Sequence, residues 1–241
     1  MTLLFLLSFS WISNFLQPAG EPGNAERDRT KYKFTQAWVW QYRNDWIAEG
    51  EAGRQGEMVV YHDSVSNTWL FNREAYGSSG EGFDFILADY EGRYIFCFRD
   101  EKGKKRKTIR SVSEIPASRQ DDGIVKEEFE TYNKPTGNTK PFAENRNGRP
   151  AITGQEFRME HLKTNEVTLR YFADTRKDFQ PIVYFNFIDG DVKLPLHFPT
   201  DIPLGKLLLE DNTVYPDGKQ ILIRLKEIAD SEYQVDLGAY K

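Results

Sequence analysis

The stretch from Gly82 to Val112, GFDFILADYEGRYIFCFRDEKGKKRKTIRSV, leaves the chain few folds to choose from. It reads as three consecutive antiparallel strands. From Phe83 to Asp89, Phe83, Phe85 and Leu87 fall on one face by the two-residue period of a strand. From Arg93 to Arg99, Tyr94, Phe96 and Phe98 share a face, with Ile95 and Cys97 opposite. The two connections repeat one pattern, Asp89-Tyr90-Glu91-Gly92 and Asp100-Glu101-Lys102-Gly103. Asp at the first position accepts from nearby backbone N–H groups, and Gly at the fourth takes the left-handed conformation that closes a type I turn with a bulge. The third strand, Lys104 to Val112, completes a meander. The fold class is therefore mainly β. We expect one antiparallel sheet, curved or a half-barrel, of about 9–12 strands with one or two short helices.

The same alternation recurs on both sides of the meander. In YKFTQAWVWQY, from Tyr32 to Tyr42, Phe34, Gln36, Trp38 and Trp40 fall on one face. Trp46 to Ala52 reads as a weaker strand. Met58 to His62 and Thr68 to Asn72 flank turn residues and read as a hairpin. Tyr76 to Gly82 is a glycine-serine loop; it lacks the Lys and the following helix of a phosphate loop. Glu114 to Gly148 is the longest irregular stretch, interrupted by prolines and glycines, with room for a short helix from Asp121 to Tyr132. Strands resume from Ile152 to Leu162 and from Glu166 to Ala173, where Leu169 is the mid-strand core candidate. Residues 179–188 fit a helix or a strand. A last hairpin turns at Tyr215-Pro216-Asp217-Gly218, and the end of the chain is expected to dock Tyr233, Val235, Leu237 and Tyr240 on the sheet. The expected organisation is a signal peptide over 1–20 and a single β-rich domain over 30–241. Within it lie an N-terminal sheet half (30–113), a linker (114–150) and a C-terminal sheet half (151–241).

The signal peptide is expected because residues 1–16, MTLLFLLSFSWISNFL, are mostly apolar and carry no charged side chain. That run matches a signal-peptide core and is shorter than the ~20 residues a membrane helix needs. The alternative is an uncleaved anchor or a buried first element, since no Lys or Arg precedes the run. The expected location is outside the cytoplasm, in the periplasm or cell envelope or secreted, with no transmembrane segment in the mature chain.

Composition narrows the function. A net charge of −5 with both signs interspersed argues against a general nucleic-acid binder, which needs a basic excess. One cysteine allows no intramolecular disulfide and no multi-cysteine zinc site. Cys97, among Tyr94, Ile95, Phe96 and Phe98, reads as an inert core thiol. The histidines His62, His161 and His197 have no second His at metal spacing, and Asp189-Gly190-Asp191 reads as a tight turn. No nucleophile elbow and no Cys–His signature is present. No catalytic residue, metal ligand or cofactor site is assigned. The run Lys104-Lys105-Arg106-Lys107 reads as an edge-strand device against aggregation, the alternative being contact with an anion or headgroup.

Several segments carry a likeness beyond these patterns: Phe-Ile-Leu-Ala-Asp-Tyr-Glu-Gly-Arg-Tyr-Ile with Gly103-Lys104-Lys105, the polar Pro135-Thr136-Gly137-Asn138-Thr139-Lys140, Ile152-Thr153-Gly154-Gln155-Glu156-Phe157, and the ending Val235-Asp236-Leu237-Gly238-Ala239-Tyr240. Over roughly residues 32–241 the chain resembles secreted β-rich proteins similar to the periplasmic lipoprotein-carrier half-barrel. It departs from them at Phe157 and Arg158, where those relatives carry a Cys nearby, and its ending lacks their Pro. The resemblance implies a curved antiparallel sheet closed over by short helices. It also implies a concave apolar face that holds acyl chains or a partner's hydrophobic segment, and it carries over no catalytic residue.

The leading expectation is an exported envelope protein that binds an apolar ligand, a lipid or a lipidated protein without chemistry. Its candidate contacts are Trp38, Trp40, Phe83, Phe85, Tyr94, Phe96 and Phe98, which core packing alone would also explain. The alternatives are an envelope interaction or structural protein that uses the long loop and the basic hairpin, and, more remotely, a carboxylate-dependent hydrolase.

Overall fold

The structure is a computed structural model that describes residues 30–45, 54–63, 65–66, 68–72, 83–88, 93–111, 122–143, 151–161, 166–174, 202–203 and 205–241. Among these, eleven strands form one antiparallel sheet, not closed into a barrel, and one α-helix accompanies it. The chain enters at the middle of the sheet with β1 (Lys31–Asn44). It proceeds outward through β2 (Arg54–Asp63), β3 (Thr68–Asn72), β4 (Phe85–Ala88) and β5 (Arg93–Arg99) to one edge, β6 (Lys105–Ser111). The helix α1 (Asp122–Tyr132) follows. The opposite edge is β7 (Lys134–Phe142), and β8 (Ile152–His161), β9 (Glu166–Asp174) and β10 (Lys206–Val214) lead back inward to β11 (Gln220–Asp236), which pairs with β1. The expected signal peptide, the strand at Trp46 to Ala52, the loop at Tyr76 to Gly82, the turn at Asp89 to Gly92, residues 179–188 and the turn at Asp189 lie outside the described residues.

Across β2–β5 the two faces of the sheet pack into separate cores. The first contains Trp38, Trp40, Met58, Val60, Trp69, Phe71, Ile86 and Leu225 together with Phe129 of α1. It also takes in Tyr171 and Phe172, which point to opposite faces of β9. The other contains Leu70, Phe85, Leu87, Ile95 and Cys97 with Leu237 and Tyr240. The meander keeps the expected alternation in β5: Phe96 and Phe98 pack against the first core, Ile95 and Cys97 in the second. The turn at Asp100 is as read from the sequence. Gly103 has φ +72° and its N–H donates to the Asp100 carbonyl, while the Asp100 carboxylate accepts from the N–H groups of Lys102 and Lys104.

Five expectations need correction. First, Phe83 does not share a face with Phe85. Asp84 forms a bend ahead of β4, its N–H bonded to the Cys97 carbonyl at 2.7 Å, and the strand period does not reach across it. Phe83 enters the first core and Phe85 the second. Second, Phe34 and Trp38 end in different cores, because the β1–β11 register shifts between Phe34 and Gln36. Third, Leu169 is only half-buried, and Thr168 and Arg170 on the opposite face of β9 are the buried ones.

Fourth, the irregular stretch holds a strand. Pro135, Gly137 and Pro141 read as a loop, yet they lie in β7, an edge, where a residue without an N–H is tolerated. The buried Phe142 anchors β7. Burial of its ring is worth about 1.5–3 kcal/mol, more than the ~1 kcal/mol of any one ladder hydrogen bond that the prolines forgo. Gly154 of β8 makes room for that ring: a Cβ there would lie 2.8 Å from Phe142 Cε2 and 3.0 Å from Leu209 Cδ1. Fifth, the final hairpin is longer than read. Tyr233 and Val235 are strand residues paired with Phe34 and Tyr32, and only Leu237 and Tyr240 dock beyond the strand.

Those last residues bend the sheet. Lys241 N–H donates to the Lys105 carbonyl and the Lys107 N–H donates to the Lys241 carbonyl, a parallel bridge on the outer edge of β6. Asp236, five residues earlier, still pairs with Lys31. Five extended residues reach at most about 18 Å. In a flat sheet β6 would lie six strand spacings from β11, about 29 Å away. The β1–β6 half therefore curls until its edge returns toward the β1–β11 seam. The second core lies inside the curl, with Tyr240 seated edge-on against Phe85 and its hydroxyl donating to Asp84 Oδ2 at 2.7 Å.

Candidate functional site

The aromatic residues singled out in the sequence divide between the two cores. Trp38 and Trp40 are almost completely buried on the central strand and form the floor of the first core. Trp38 packs edge-on against Trp69 with ring centroids 5.2 Å apart, and its Nε1–H donates to Gln36 Oε1. Because that oxygen is an acceptor, His62 Nδ1, 3.1 Å from it, carries a proton and donates as well. The His62 ring stacks on Trp69 at 4.0 Å. His62, read as an isolated histidine, is thus part of a buried aromatic layer.

Outward along the same face the core ends in Phe83, Phe96 and Phe98. The Phe83–Phe96 and Phe96–Phe98 centroid distances are 5.6 and 5.7 Å. Phe83 is buried, whereas Phe96 and Phe98 keep part of their surface exposed. On β6 their cross-strand neighbours are Thr108 and Arg106. Phe85 does not join this group, since it faces the inside of the curl, which Leu237 and Tyr240 fill. Of Tyr94 only the strand position is described, opposite Ala88 and Arg110.

A second constellation, not signalled by any motif, lies at the other end of the sheet. Register places Glu156 beside Tyr171, and Tyr171 beside Glu210. The Tyr171 hydroxyl donates to Glu156 Oε2. Glu156 Oε1 accepts from Thr136 Oγ1 at 2.7 Å and Asn138 Nδ2 at 2.9 Å. Lys140 Nζ lies 2.7 Å from Glu210 Oε2 and over the rings of Phe142 and Tyr171. The hydrogen bonds from Tyr171, Thr136 and Asn138 hold the Glu156 carboxyl below its usual range. Burial, and the carboxylate it serves, push the Tyr171 hydroxyl up. At neutral pH Glu156 is a fixed anion with no proton to give, and Tyr171 is a fixed donor. The chemistry suits holding the bulged edge strand β7 in place, with Gly137 at φ +84° between the two side chains that bond Glu156.

On the other face of β9, Arg170 Nε donates to Asp211 Oδ2 at 2.8 Å and its Nη1 to Asn133 Oδ1 at 3.2 Å. Asn133 follows α1 directly and its side-chain amide donates to the Phe129 carbonyl. This buried link ties the end of the helix to the sheet, while Phe129 packs against Phe157 and Phe172. Arg170 and Asp211 are register partners 41 residues apart, and Asn133 reaches them from the end of the helix, 37 residues from Arg170.

Cys97 is fully buried, and burial pushes its thiol up to about 12. His161 belongs to β8 and His197 lies outside the described residues. Among the described residues no group of His, Cys, Asp and Glu is placed to hold a metal ion, and no helix is long and apolar enough to cross a membrane. The chain matches no family model and no curated protein sequence.

Proposed function

We propose that this chain is an exported envelope protein that binds the acyl part of a lipid or of a lipidated protein. One observation carries the reading: the first core runs out to Phe96 and Phe98, which remain partly exposed on an open sheet. Apolar ligand sites are lined by aromatic side chains with a few polar groups at the rim. Phe96 and Phe98 would contact the chain of the ligand, with the buried Phe83 packed behind them, and Arg106 at the rim, beside Asp100, suits an anionic headgroup. A curved antiparallel sheet is also part of what the likeness to the lipoprotein-carrier half-barrel implies. Phe85 falls outside the proposed contact set.

The test is mass spectrometry of lipid extracted from the protein purified from an envelope fraction, followed by fatty-acid titration of wild type and Phe96→Leu. The expected outcome is co-purifying lipid, with weaker fatty-acid binding by the variant at nearly unchanged stability. No lipid and no fatty-acid binding by the wild type would overturn the reading. N-terminal sequencing of the same material tests export: loss of the first ~20 residues is expected.

A further inference from the structure

The sheet has two edges, and they differ in kind. β7 carries the features that stop strands from adding: Pro135, Pro141, a positive-φ Gly137 and a register shift between Pro135 and Thr139. β6 carries none of these. Its seven residues pair with β5 in unbroken register, from Arg99–Lys105 to Arg93–Ser111. Its outer side already accepts strand-type pairing. Lys241 bridges to it in parallel, with hydrogen bonds of 3.3 Å to the Lys105 carbonyl and 3.1 Å from the Lys107 N–H. By the alternation of a strand, Ile109 is the next residue whose N–H and carbonyl point the same way, and the residue is 54% exposed.

The charge on this edge selects a partner. Of its seven residues, Lys105, Arg106, Lys107 and Arg110 are basic, on a chain whose net charge is −5. Such a run on an edge also discourages aggregation. A row of lysines repels basic strands, disfavours neutral ones that would desolvate the ammonium groups without pairing them, and attracts acidic ones. Lys105 and Lys107 alternate with Arg106, so a strand added here meets positive charge on both of its faces.

We propose that the outer edge of β6 is a docking site for an extended acidic segment of a partner protein, which adds to the sheet as a strand and takes over the place of Lys241. The recognition is main-chain hydrogen bonding along Lys105, Lys107 and Ile109, with acidic side chains on the face of Arg106 and Arg110 and apolar side chains on the face of Ile109 and the lysine stems. The proposal stands on the backbone edge of β6 and shares only Arg106 with the acyl-binding reading.

Three synthetic peptides of about ten residues, longer than a typical strand, test it. One alternates Glu and Val, one alternates Lys and Val, and one is the Glu–Val peptide methylated on the nitrogens of its pairing edge. The Glu–Val peptide is expected to bind, more weakly as salt is raised, and the Lys–Val peptide not to bind. The methylated peptide is expected to bind about tenfold or more weakly, since it forfeits several backbone hydrogen bonds. Hydrogen exchange at the Ile109 amide is expected to slow when the Glu–Val peptide is bound. The variant Ile109→Pro lacks the outward N–H and is expected to lose about as much affinity while folding normally, because an edge strand tolerates proline. If that variant does not fold, the methylated peptide against the wild-type protein decides. Equal binding of the methylated peptide, unchanged exchange at Ile109, or no binding of the Glu–Val peptide would each overturn the proposal.

Discussion

At the scale of single residues, Gly103 separates backbone cost from packing cost. Its φ is +72° and a Cβ there would meet nothing within 4 Å. Gly103→Ala should therefore destabilise the fold by about 1 kcal/mol through backbone strain alone, and Gly103→Asn by less, because Asn tolerates the left-handed region. Urea melts of the two variants check this; equal midpoints for Ala and wild type would count against it. Cys97 offers a second residue-scale test. It is fully buried and its thiol is pushed up to about 12. Maleimide labelling of the native protein should be slow, becoming rapid in denaturant. Fast native labelling would place the thiol at the surface and reverse the facing of β5. Both residues were legible in the sequence, Gly103 from the Asp–Gly spacing of its turn and Cys97 from its apolar neighbours.

At the scale of elements, the bulged edge strand β7 depends on one carboxylate. Hydrogen bonds from Tyr171, Thr136 and Asn138 hold Glu156 ionised and depress its pKa in the folded state. The stabilisation is therefore present above the unfolded value of about 4.3 and is lost as pH falls through the folded value. The melting temperature should fall on acidification below about pH 4, and Glu156→Gln should show a shallower fall over the same range. Identical acid profiles for the two proteins would mean that Glu156 does not couple β7 to the sheet. None of this was visible along the chain. Thr136 and Asn138 read as linker residues, and Glu156 lies 18 to 20 residues away from them. Pro135 and Pro141 disguised the strand, because local propensity counts against proline regardless of whether the position is an edge.

At the scale of the whole molecule, the curl of β1–β6 is closed by the short segment after β11. Tyr240 is buried against Phe85, bonds Asp84 and lies beneath the Lys105 ammonium. Tyr240→Ala should cost about 3 kcal/mol, the usual scale for removing a buried ring. It should also speed hydrogen exchange at the Lys107 amide, whose bond to Lys241 depends on the docked segment. Tyr240→Phe should cost only about 1 kcal/mol, the net worth of one hydrogen bond. Denaturant melts with amide exchange measure both effects. Unchanged exchange at Lys107 in Tyr240→Ala would show that the bridge to β6 holds without the ring.

Alternation and turn residues along the chain are enough to establish the antiparallel β class, most of the strands, the Asp100–Gly103 turn and the two-sided packing of β5. These follow from contacts between residues a few positions apart, which alternation and turn chemistry record directly. Which of the aromatic residues lie together depends on the folded sheet. A bend at Asp84 and a register shift beyond Phe34 send residues of one apparent stripe to opposite faces. The folded sheet alone also pairs β1 with β11 and joins Arg170 to Asp211, because strand register between distant segments leaves no trace in local spacing.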